Sequence, residues 1–152
     1  MSRTRITRLA LLALTTAAAL HALPASARDT KLMLPIQDVL DMPQAKEQLD
    51  GKVRFYFAGN KSPKVLQEFS TEVSNRKTNG VGKSDEEACR WAALSALVAF
   101  QDKARELGAN GVVDLASYYK KDEVRDTANY ECHAGAIVVG VALKGKLVRI
   151  AN

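Results

Sequence analysis

One long helix is written into this chain with little ambiguity, and any fold must be built around it. Ser84-Asp85-Glu86-Glu87 is a capping box, in which the Ser84 hydroxyl accepts from the third helical N–H and Glu87 reaches back to Ser84. Three acids then lie at the positive end of the helix dipole. Helical spacing continues to about Leu107, where Gly108 supplies the C-terminal stop. Ala88, Ala92, Ala96 and Ala99 fall along one stripe of this helix. Further on, Ala134 to Leu143 is apolar on both faces, the pattern of a central strand covered on both sides. Its faces differ in bulk. Ala134, Ala136, Val138, Gly140 and Ala142 form a thin side, and Ile137, Val139, Val141 and Leu143 a thick one. Small residues facing small residues permit close backbone approach, so the expectation sets the helix on the thin side.

The remaining elements are shorter. Lys31 to Pro35 reads as an extended lead-in; Ile36, Val39 and Leu40 have helical spacing, and Pro43 opens a second short helix ending near Leu49. After the Asp50-Gly51 turn, Val53, Phe55 and Phe57 alternate with Arg54 and Tyr56, which marks a half-buried strand over 52–57. Asn60 to Pro63 breaks it, and Val65 to Lys77 reads as the next strand. Asn110 to Tyr119 and Tyr130 to Leu143 read as two more, joined by the charged turn Lys120 to Thr127, with Lys146 to Ile150 as a last edge strand. The fold class is therefore α+β: a small, mainly antiparallel sheet, one long helix on one face, and the short N-terminal helices on the other. No linker or internal repeat divides residues 28–152, which the sequence reads as a single domain.

The N-terminus reads as a signal peptide. Arg3, Arg5 and Arg8 precede the uncharged apolar run Leu9 to Leu20, and Ala25-Ser26-Ala27 is a small-x-small cleavage site. The run is too short to span a bilayer. Cleavage is expected after Ala27, and no cysteine follows to take a lipid anchor. Residues 28–152 are then expected in the periplasm, an oxidising compartment, with no membrane span. Removing the leader arginines lowers the formal charge from +5 to +2. The basic pairs Arg76-Lys77 and Lys120-Lys121 are isolated and read as solvated surface, so no nucleic-acid partner is expected.

The chemistry-bearing residues are few. Cys89 and Cys132 are the two cysteines of the chain. In an oxidising compartment an isolated pair reads most simply as a disulfide. Its 43-position loop restricts the unfolded chain by about 4 kcal/mol in the loop-entropy picture. Cys132 has the parity of the thin face and Cys89 begins the helix, so both fall in one layer. The alternatives are a redox pair, which would want Cys-x-x-Cys, and a metal site, for which His133 is the one histidine beyond the leader. No cofactor is expected. Gly82-Lys83-Ser84 matches the tail of a phosphate-binding loop, but Lys77 stands where its first glycine belongs, and the helix cap already explains Ser84. His133 has no serine nucleophile elbow to serve. Asp122, Glu123 and Asp126 read as solvated turn carboxylates, Asp114 and Tyr118 as one polar side of a strand, and Trp91 as core.

The stretch Cys89 to Leu143 resembles the envelope-stress sensor lipoprotein of the Rcs phosphorelay and the related YbjQ-type domains. The matching pieces are the helix end Ala104 to Leu107, the turn Gly108-Ala109-Asn110 with Val112-Val113, and the final run Cys132 to Leu143. The resemblance implies an alanine-rich helix, a strand, a polar hairpin and a Gly/Ala/Val strand. It sets Cys89 and Cys132 at positions like one of the sensor's two disulfides, while Val138 stands where a cysteine of the second would be. Over its whole length the sequence is also similar to small exported proteobacterial proteins often labelled "excinuclease ATPase subunit". Two functions follow as expectations. The first is a non-catalytic periplasmic binding or envelope-stress-sensing module, with an envelope protein or small ligand as partner. The alternative is an ATP hydrolase using Gly82-Lys83-Ser84.

Overall fold

A computed structural model describes residues 28–152, so the expectations for the leader lie outside the described residues. Its elements are β1 (Thr30–Pro35), α1 (Ile36–Leu40), α2 (Pro43–Gln48), β2 (Arg54–Phe57), β3 (Val65–Asn79), α3 (Asp85–Leu107), β4 (Gly111–Ser117), a 3-10 turn at Tyr119–Lys121, β5 (Asn129–Ala134) and β6 (Val138–Ile150). The fold is α+β. Six strands form one curled mixed sheet in which β1, β5, β6, β4 and β2 are successive neighbours and β3 pairs with β6. All pairings are antiparallel except the short β2–β4 ladder.

The ends of α3 follow the local chemistry of its sequence. The Glu87 N–H donates to the Ser84 hydroxyl at 3.1 Å. At the other end Gly108 takes a left-handed φ of 72°, and the Ala109 N–H turns back to the Ala104 carbonyl at 2.8 Å. Ala88, Ala92 and Ala96 are fully buried.

Four expectations about arrangement are corrected. Tyr130 to Leu143 is not one strand but a hairpin: the Gly135 N–H donates to the Val138 carbonyl at 2.9 Å, and a side chain at Gly135 would meet that oxygen at 2.8 Å. The hairpin pairs Ala134 with Val139, so the thin-side residues of β5 share a face with the thick side of β6. Accordingly α3 packs on the thick side. Val139, Val141, Leu143 and Leu147 form one core with the α3 alanines, Leu94, Leu97 and Phe100. Bulky side chains fill the space that alanines leave, which gives native packing density where small against small would leave voids. Lys146 to Ile150 is no separate edge strand; it continues β6, which lies between β3 and β4. The short helices also join the α3 side, since Val39 and Ala45 belong to the same core. Each fully buried Leu, Val or Phe adds roughly 1.5–3 kcal/mol of apolar burial.

The disulfide Cys89–Cys132 is formed, with the two Cα atoms 5.9 Å apart, and it ties the second turn of α3 to β5 inside this core. The opposite face of the sheet is covered only in part, by the turn after β4.

Candidate functional site

On that opposite face β5 presents Glu131 and His133, two positions apart and therefore on the same side of the strand. His133 lies between two carboxylates. Its Nε2 is 2.8 Å from Glu131 Oε1 and its Nδ1 is 2.7 Å from Asp29 Oδ1. Lys31, directly across from His133 on β1, brings its ammonium 2.5 Å from Glu131 Oε2, an ionic contact rather than an aligned hydrogen bond. The Tyr119 ring stacks on the imidazole with centroids 3.4 Å apart and planes at 10°. Lys120 sits 5.1 Å over the Tyr119 ring and 3.6 Å from Asp29. Lys120 and Lys121 both take left-handed φ, and this tight turn after β4 is what lays Tyr119 over His133.

These groups form one wall of an open groove of about 400 Å³. Gly140, opposite His133 on β6, forms part of its floor, and Asn75 and Lys77 of β3 close the far side. Arg28 completes it, paired with Asp85 at the start of α3. Three cations, Arg28, Lys77 and Lys120, thus border the groove against the single exposed acid Asp29.

The electrostatics hold both acids ionised. Burial pushes the Glu131 carboxyl up, since the residue is only 4% exposed, but the Lys31 ammonium and the His133 hydrogen bond outweigh burial and set it below the usual carboxylate range. Asp29 is also held low, chiefly by its hydrogen bond from His133, with Lys120 adding to it. Both imidazole nitrogens are engaged. A general base needs a nitrogen within hydrogen-bond reach of substrate, and this ring offers none in its present setting. The two carboxylates approach opposite edges of the ring, so their oxygens do not converge on one metal position. Among the described residues, no group of three or more His, Cys, Asp or Glu side chains has metal-binding geometry.

The other residues singled out by sequence have structural roles in this arrangement. Ser84 is the helix cap, and the Lys83 ammonium donates to the Asn79 carbonyl at 3.1 Å, so Gly82-Lys83-Ser84 forms a tight turn into α3. Asp114 sits at a β-bulge with a φ of 57°, which adds one residue to β4 and keeps Asp114 on the solvent side of the sheet. It joins Tyr118 there through a chain of pairs. Arg125 bonds Asp114 at 2.5 Å and Glu123 at 2.9 Å, while Lys144 bonds Glu123 at 2.9 Å and lies 4.9 Å over the Tyr118 ring. Lys144 foremost, then Arg125, hold the Glu123 carboxyl low. Asp126 accepts the backbone N–H groups of Ala128 and Asn129, which hold its carboxyl low in turn. Asp122 is exposed, and Trp91 is partly buried against the core. The pair Arg76-Lys77 is split between the two faces of β3, and only Lys77 reaches the groove.

Sequence reasoning missed this site. The Glu131-x-His133 spacing was its one readable signal. Asp29 and Tyr119 come from distant segments with no local signature. No protein-family model matches the chain, and no curated protein matches it.

Proposed function

We propose that the chain is exported, loses residues 1–27 and works in the periplasm as a non-catalytic binding module of the cell envelope. It takes an acidic group, carried by a small ligand or by an envelope protein, into the groove beside His133. The observation that carries this reading is the pairing of a cationic rim (Arg28, Lys77 and Lys120) with a histidine whose two nitrogens are already occupied. Such a site offers positive charge to an anion, and its histidine has no nitrogen free for acid–base work. The resemblance to the Rcs envelope-stress sensor, and a disulfide suited to an oxidising compartment, support the location. The alternative ATP hydrolase gains nothing from the turn at Gly82 to Ser84.

The test is in-cell photo-crosslinking from a photoreactive residue at position 77. Capture of an envelope component from position 77, lost on Lys120→Glu and absent from position 46 on α2, is the expected result. Equal capture from both positions would overturn the groove assignment. Turnover of magnesium-ATP abolished by Lys83→Ala would overturn the non-catalytic reading.

A further inference from the structure

The outer edge of β3 is the other unfinished part of the molecule. β3 runs fifteen residues, and among the described residues its only strand partner is β6. Long edge strands with free main-chain groups invite pairing. The Gly80 N–H donates to the Ile137 carbonyl at 2.8 Å, so over 70–80 the even-numbered residues turn their main-chain groups toward the β6 hairpin. The odd-numbered residues Thr71, Val73, Asn75 and Lys77 turn theirs outward. Val73 is 52% exposed. Beside this edge, between β3 and α3, lies a groove of about 630 Å³ that includes Glu72, Ser74, Arg76, Ala99 and Phe100. Two hydroxyls on the α3 side of β3, those of Ser70 and Ser74, are buried without a hydrogen-bond partner, and Ser74 is only 8% exposed. A buried polar group left unpaired is costly, so each such hydroxyl asks for an explanation.

We infer that a second copy of this chain pairs antiparallel along β3, about a two-fold axis at Ser74, to form a homodimer with one continuous sheet. The sequence of the edge carries the argument. On the α3 side the residues read Ser70, Glu72, Ser74, Arg76, Thr78. Folded back on itself about Ser74, this row sets Ser70 against Thr78 of the second copy, Glu72 against Arg76, and Ser74 against Ser74. Serine and threonine side chains then face one another, and both charges meet opposite charges, in the same register. Even-numbered residues oppose one another at the closely spaced, non-hydrogen-bonded positions, where cross-strand side chains interact most. Val73 and Asn75, whose main-chain groups face outward, form the hydrogen-bonded pairs. A slip of two residues sets Arg76 against a serine and Glu72 against a hydroxyl residue, so the charge pairs across the strands favour one register. The pairing is isologous and closed, as a two-fold interface requires. This inference does not depend on the function proposed for the His133 groove.

Sedimentation equilibrium of the disulfide-bonded protein, up to about 0.1 mM, tests it. The wild type is expected to sediment as a dimer. Glu72→Arg sets two arginines against each other and is expected to yield a monomer with an unchanged far-ultraviolet circular dichroism spectrum. The double variant Glu72→Arg with Arg76→Glu restores the charge pairs and is expected to restore the dimer. Ser74→Cys should give a covalent dimer on oxidation, whereas Thr78→Cys should not. Two results would each overturn the inference: a wild type that stays monomeric over this range, or a dimer indifferent to Glu72→Arg. Should Glu72→Arg fail to fold, the Ser74→Cys and Thr78→Cys pair decides alone.

Discussion

The two sides of β6 solve different problems with alternate residues of one strand. Toward α3, Val139, Val141, Leu143 and Leu147 are buried against alanines, and the disulfide lies in the same layer. Toward the other side, Gly140, Lys144 and Lys146 line polar grooves bordered by ion pairs. One face is specified by volume and the other by charge. Stability is therefore concentrated on the first, while the second is free to carry binding groups, because surface ion pairs add little to stability.

The comparison can be broken most directly at the disulfide. Cys89→Ser should lower the unfolding free energy by about 2–5 kcal/mol in urea titration, and reduction of the wild type should do the same. A loss under about 1 kcal/mol would show that the helix-side core stands without its covalent tie. Next come neighbours on opposite sides of β6. Leu143→Ala should cost about 3 kcal/mol, since the side chain is fully buried. Lys144→Ala should stay within about 0.5 kcal/mol. Similar losses for the two would erase the distinction between the faces. Tyr130 sharpens it differently. Its hydroxyl is buried on the core side of β5 without a partner, and burial pushes its ionisation well above the usual range. Tyr130→Phe should therefore raise stability by about 1 kcal/mol.

The smallest effect belongs to the open face. Asp29 and Glu123 have folded pKa values below their ordinary ones, through His133 and through Lys144 respectively. Their contribution is complete above the unfolded value near 4 and is lost as pH falls through the lower folded values. The melting temperature should accordingly decline below about pH 4, and less steeply in Asp29→Asn with Glu123→Gln. An identical decline in that double variant would assign acid sensitivity elsewhere.

What the sequence disclosed was local. The Ser84 cap, the Gly108 stop, the alternation of 53–57 and the pair Cys89–Cys132 each rest on a few neighbouring residues or on simple counting. The hairpin at Gly135-Ala136-Ile137 was hidden because its turn is spelled with apolar residues that also suit a strand. Missing it reversed the parity of β6 relative to β5, which sent the helix to the wrong face. The disulfide survived this error because Cys132 lies on the helix side of the hairpin whichever side of β6 that is. The groove was harder to see. Glu131 and His133 share a face by spacing alone, but Asp29 arrives through the β1–β5 pairing. Tyr119 arrives through two consecutive left-handed lysines, a conformation that lysine does not advertise.

The position of β6 in the chain also sets an order of events. β3, β4 and β5 all pair with β6, and all three precede it in sequence. When the polypeptide is delivered N-terminus first, these strands have no shared partner until residues 138–150 are available. Joining of these strands into one sheet thus waits for β6, because the long-range pairings that unite them close only then. A chain stopped before Val138 holds the capped helix and five strands, but lacks the strand on which β3, β4 and β5 meet.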